Sequence, residues 1–139
     1  MPAAPGGTQT SRLHPILKAV SSLNRLVADE ASYHAELQER HEQILKREKL
    51  LETLKEDPEE EGNSLWMLKQ ERMAYDETKR MLPKMEQLVR EAVERLEGLM
   101  QEERGKENDA NETALHEAAE AIQKAKQAVP ALAGPRSEA

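Results

Sequence analysis

The chain has 139 residues, with 27 acidic and 20 basic side chains and a formal charge of -7, a balance that argues against a nucleic-acid or anionic-membrane binder. Charged residues reach 34%, aromatics only 2%, and phenylalanine is absent, so a thick core is excluded, whereas a thin helical bundle needs only one apolar stripe per helix. Zero cysteines exclude disulfides and thiol chemistry and suit a reducing compartment.

The leader "MPAAPGGTQTS" is rich in Pro, Gly and Thr, and residues 1–12 are expected to be disordered. It lacks the apolar run of a secretory signal, and no stretch of the chain offers the roughly 18 apolar residues of a spanning helix. Residues 1–28 hold no acid but carry Arg12, Lys18 and Arg25, as an organellar transit segment would. The apolar stripe runs smoothly past residue 28, which favours an ordinary helix and a cytosolic protein.

The spacing predicts a first helix over about 13–56, with Pro15 in the first turn, where its missing N–H costs nothing. Leu13, Ile16, Val20, Leu23, Val27, Leu37, Ile44 and Leu51 follow a 3-4 rhythm, widened by Tyr33, Leu45, Leu50 and Leu54. "KEDPEEEGN" is expected to break it, because Asp57 precedes a proline and Gly62-Asn63 supplies a turn, although the acids also suit a helix start. Asn63 or Ser64 would then cap a second helix over about 64–103. Leu68, Tyr75, Leu82, Val89 and Leu96 repeat every seven residues, as do Glu71, Thr78, Met85, Ala92 and Leu99. This seam passes Pro83 in phase, so the proline is expected to kink one helix and not to divide two.

"RGKENDAN" forms the next turn, with Gly105 ending helix two and Asn108 or Asp109 capping a third helix over about 108–129. Its stripe is Leu115, Ala118, Ile122, Ala125 and Val129, and the tail 130–139 is expected to be disordered. Short turns predict an all-α, antiparallel, up-down-up three-helix bundle over 13–129 with left-handed, coiled-coil-like packing.

Signatures of enzymes are missing: there is no phosphate-cradling Gly loop, HExxH, Cys/His cluster or GxSxG, so neither catalytic residue nor cofactor is expected. His34 and His41 share a helix face with Glu30 one turn before, but ligands two turns apart lie about 10 Å from one another and need help from another helix. A polar seam column that sets register is the simpler reading. "NETA" at Asn111 matches a glycosylation acceptor, which without a secretory signal is a chance match.

Met67, Met73, Met81, Met85 and Met100 all fall on helix two, with Trp66 beside the first. Methionines fill an aromatic-poor core, or they form an adaptable contact surface. At 1.5 Å per residue, helices one and two would span about 60 Å and helix three about 30 Å, reaching back to roughly residue 82. Helix three would leave the hairpin of residues 37–56 and 65–80 uncovered. Leu45, Leu50, Leu54, Trp66, Met67 and Met73 are therefore the expected partner-binding residues.

"LNRLVADEASYHAEL", a short acidic turn and then "MLPKMEQLVREAVERLEGLM" together resemble the tubulin-binding cofactor A family over about residues 16–103. The long Pro/Gly leader, longer first turn and Ala-rich tail depart from that pattern. The resemblance implies a three-helix-bundle, non-catalytic folding cofactor of the cytoplasm and cytoskeleton. It would capture β-tubulin after chaperonin release and hold it for heterodimer assembly, using neither metal nor nucleotide. Tubulin is acidic too, so local apolar contacts and matched charge pairs would drive binding. The alternative is a helical oligomerisation or scaffold module; monomer and homodimer are both compatible with the sequence.

Overall fold

Pro15 opens the first helix as the spacing predicts, α1 over Pro15–Thr53, in a computed structural model that describes residues 14–105 and 109–133. The expected leader, the start at Leu13, the Asn108 cap and the tail 134–139 lie outside the described residues. His14 caps α1: its ring Nδ1 accepts the Ile16 N–H at 3.1 Å, satisfying one of the helix's unpaired first-turn donors. Two further helices follow, α2 over Pro58–Arg104 and α3 over Asp109–Ala128, with a 3-10 turn at Pro130–Ala133. The described residues are all-helical and contain no strand.

The turn after α1 is shorter than the sequence suggests, and α2 starts at Pro58 instead of residue 64. α1 closes on tightened bonds from Leu54 N to Leu51 O and from Asp57 N to Leu54 O. Asp57 is the cap that the sequence reading gave to Asn63 or Ser64: its Oδ1 accepts the Glu60 N–H at 3.3 Å. Pro58 fills the position where its missing N–H costs nothing, and Glu59, Glu60 and Glu61 meet the positive end of the helix dipole. These signals outweigh Gly62 and Asn63, which become ordinary helical residues, while Ser64 is buried.

The chain divides into two compact units, one made of the residues up to 28 with those from 86 onward, the other of 29–85. The first has an apolar core. Ile16, Ala19 and Leu23 of α1 meet Val89, Val93, Leu96 and Met100 of α2 and Ala114, Ala118, Ala121, Ile122, Ala125 and Val129 of α3. The heptad columns named Ala92 and Leu99, yet Val93 and Met100 are buried more deeply, because each helix here faces two neighbours. Four buried alanines on α3 let its backbone approach both. Past the helix, Leu132 packs on this core and Arg90 Nη2 donates to the Ala131 carbonyl at 2.9 Å, so residues 130–133 are ordered, not part of a disordered tail. The same bond sets the end of the third helical stretch level with residue 90, about two turns short of the expected residue 82.

The second unit joins residues 29–53 of α1 to 58–85 of α2 through a polar seam. Arg40 Nε donates to Thr78 Oγ1 at 3.1 Å, Arg47 Nη2 to Glu71 Oε1 at 3.2 Å and Arg72 Nη2 to Glu48 Oε2 at 2.8 Å. From Arg40–Thr78 to Arg47–Glu71 the α1 position rises by seven while its α2 partner falls by seven, which marks antiparallel neighbours. Leu68 and Thr78 are buried there, whereas Leu37, Ile44, Leu51 and Tyr75 are only half-buried. Pro83 lies inside α2, as the unbroken seam predicts, with its ring exposed.

Candidate functional site

Five of the six expected partner-binding residues are exposed large apolar side chains, Leu45, Leu50, Trp66 (64%), Met67 (41%) and Met73 (55%), while Leu54 is half-buried. All six belong to the unit of residues 29–85. Two further exposed leucines, Leu65 and Leu88, lie outside the six; Leu65 sits beside the stripe of buried Leu68. Leu65 is three residues before Leu68, on the far edge of that stripe, a position from which a two-helix seam gives no cover.

Helical spacing and the ion-pair register place these side chains. Trp66 and Met73, seven residues apart, lie on the face of α2 opposite the seam. Leu50, Leu54 and Met67 share one flank of the hairpin: Arg47 pairs with Glu71, which brings residues 50–54 level with 64–68. Leu45 falls on the opposite flank, the side of the Glu48–Arg72 pair. By spacing, Leu50, Leu54 and Met67 fall on one flank and Trp66 and Met73 on the outer face next to it, a set called here the apolar band, with Leu45 set apart. The end of the hairpin beside the band carries Glu52, Glu56, Asp57, Glu59, Glu60 and Glu61 against Lys55 alone, so the rim is acidic.

The methionines separate by place. Met85 and Met100 are 5% exposed and fill the interior, Met81 is half-buried, and Met67 and Met73 are exposed. The histidines are engaged within the protein. His34 Nε2 lies 2.7 Å from Oε2 of the buried Glu30, and the His41 ring packs on Tyr75 with centroids 6.2 Å apart. Among the described residues no three His, Cys, Asp or Glu side chains come together as a metal site. Asn111 is buried, and its Oδ1 accepts from His14 Nε2 at 3.1 Å. His14 Nδ1 already accepts from Ile16, so Nε2 carries the proton, and Glu103 Oε2 stands 3.5 Å from it. No described helix is long and apolar enough to cross a membrane.

The described residues are thus all-helical, and the unit of residues 29–85 carries exposed large apolar side chains on its hairpin. Residues 11–129 match the family described as tubulin binding cofactor A, and the chain belongs to that family. Membership carries a tubulin-binding cofactor role. No curated protein and no solved structure matches the chain.

Proposed function

We propose that this protein is a cytoplasmic, cytoskeleton-associated folding cofactor that captures β-tubulin after its release from the chaperonin and holds it for heterodimer assembly. It does so by binding alone, without catalysis, cofactor or metal. The observation that carries this reading is the family match over residues 11–129. Leu45, Leu50, Leu54, Trp66, Met67 and Met73 are the proposed contact residues. An exposed tryptophan beside exposed methionines has the composition of a binding hot spot, and large apolar side chains left exposed on a highly charged chain support contact with a partner. The helices are proposed to run up, down and up, with α2 bending at Pro83 so that its contact face follows the partner.

Immobilised protein incubated with lysate should retain β-tubulin stoichiometrically with neither ATP nor GTP added. Trp66→Ala should weaken that binding by about 2 kcal/mol, roughly thirtyfold, with unchanged helix content. A wild-type protein that retains no β-tubulin refutes the reading. A sedimentation mass that is a multiple of the monomer, again with no tubulin bound, points to the scaffold alternative.

A further inference from the structure

We propose that Met67 and Met73 are peroxide-sensitive modification sites whose oxidation switches off the exposed apolar band; the switch rests on the band being the partner surface, whereas the sites themselves do not. Two thioethers stand open to solvent at 41% and 55% exposure, while Met85 and Met100 on the same helix are 5% exposed. A reagent in water therefore meets the first pair and is kept from the second. The burial pattern turns one helix into reactive sites and internal controls.

The chemistry needs only a peroxide. A sulfur lone pair attacks one peroxide oxygen, the O–O bond breaks, and an S–O bond forms. The sulfur loses two electrons, and hydrogen peroxide is reduced to water. The product, methionine sulfoxide, is polar and chiral where the thioether was apolar and pliable, and sulfoxide reductases reverse it. Met73 lies on the face of Trp66, and Met67 shares the flank of Leu50 and Leu54, so two sulfoxides would place strong acceptors within both parts of the band. A partner surface shaped for apolar anchors would have to desolvate those oxygens without pairing them. With no cysteine in the chain, these thioethers are the exposed soft nucleophiles among the described residues.

The test uses the full chain treated with graded hydrogen peroxide, quenched and digested with trypsin. Lys69, Arg72, Lys79, Arg80, Lys84, Arg90 and Arg95 put Met67, Met73, Met81, Met85 and Met100 in separate peptides, so mass spectrometry reads each rate on its own. Met67 and Met73 should convert at least about tenfold faster than Met85 and Met100, following exposure. Protein oxidised at those two sites should bind β-tubulin at least about tenfold more weakly, as expected when polar oxygens replace apolar contact. A Met67→Leu/Met73→Leu double variant, compared with itself before and after peroxide, should show no loss of affinity on treatment. Similar rates at all five methionines overturn the site assignment, and full affinity of the oxidised protein overturns the switch. If untreated protein fails to bind, the functional reading falls and the switch with it, while the ordering of rates still decides the sites.

Discussion

Replacing Pro83 by alanine isolates a backbone effect with little else attached. The ring is exposed and the residue sits within α2, so Pro83→Ala removes no buried contact. The alanine restores an N–H that can donate to the carbonyl of Lys79 and relieves the ring's crowding of that carbonyl, and together these cost about 3 kcal/mol in a helix interior. Losing the proline also frees the unfolded chain, which returns up to about 1 kcal/mol to the denatured state. The net expectation is a stabilisation of about 2 kcal/mol, or roughly 6 °C in Tm for a chain of this length. Thermal and denaturant unfolding measure the sum, and hydrogen exchange reads the amide newly present at position 83 directly, which should be strongly protected. If the bend serves the partner, β-tubulin affinity should fall as stability rises. An unchanged or lowered Tm together with an unprotected amide at that position would refute the reasoning, because the helix would then gain nothing from the restored bond. Unchanged affinity would assign the proline to packing alone.

Leu96→Ala, at a fully buried position of the three-helix core, should cost about 2–5 kcal/mol by denaturant unfolding, with the cavity deciding where in that range it falls. Asp57→Ala removes the cap of α2 and should cost about 1 kcal/mol, visible as faster exchange of the Glu59–Gly62 amides. Ending the chain at Val129 takes away Leu132 and the carbonyl that Arg90 binds, and should lower stability by about 1–3 kcal/mol in urea unfolding.

The helices were legible because their information is periodic. Val89 and Leu96, seven residues apart, report one face of one helix, and the phase survives Pro83 because the proline removes one bond without ending the helix. Boundaries were less legible, since they depend on competition between local signals. Gly62-Asn63 looked like the turn, but an aspartate cap, a proline ready for the first helical position and three acids at the dipole's positive end together stabilise helix several residues earlier. The ordered 3-10 turn was hidden because its support is a single leucine and one long-range bond from Arg90, forty-one residues away in sequence. Length arithmetic pointed to six side chains on the hairpin, and five of them are exposed. Individual exposures were less legible: Leu65 and Leu68 differ only in which side of the seam they fall on, and that is settled by the partner helix.

The polar seam of the 29–85 unit has a consequence for how the hairpin assembles. Arg40 with Thr78, Arg47 with Glu71 and Glu48 with Arg72 act as an alignment key. A slip of one heptad would leave the helix faces matched, so a purely greasy seam would register the error only weakly. Here the slip sets Arg47 against Ser64 or Thr78 and leaves a partly buried guanidinium without its carboxylate, a fault that cannot be tolerated cheaply. The charges therefore proofread the pairing of two long helices from inside the hairpin. The outward-facing positions around Trp66 and Met73 are left free of that duty and open to selection for whatever they touch.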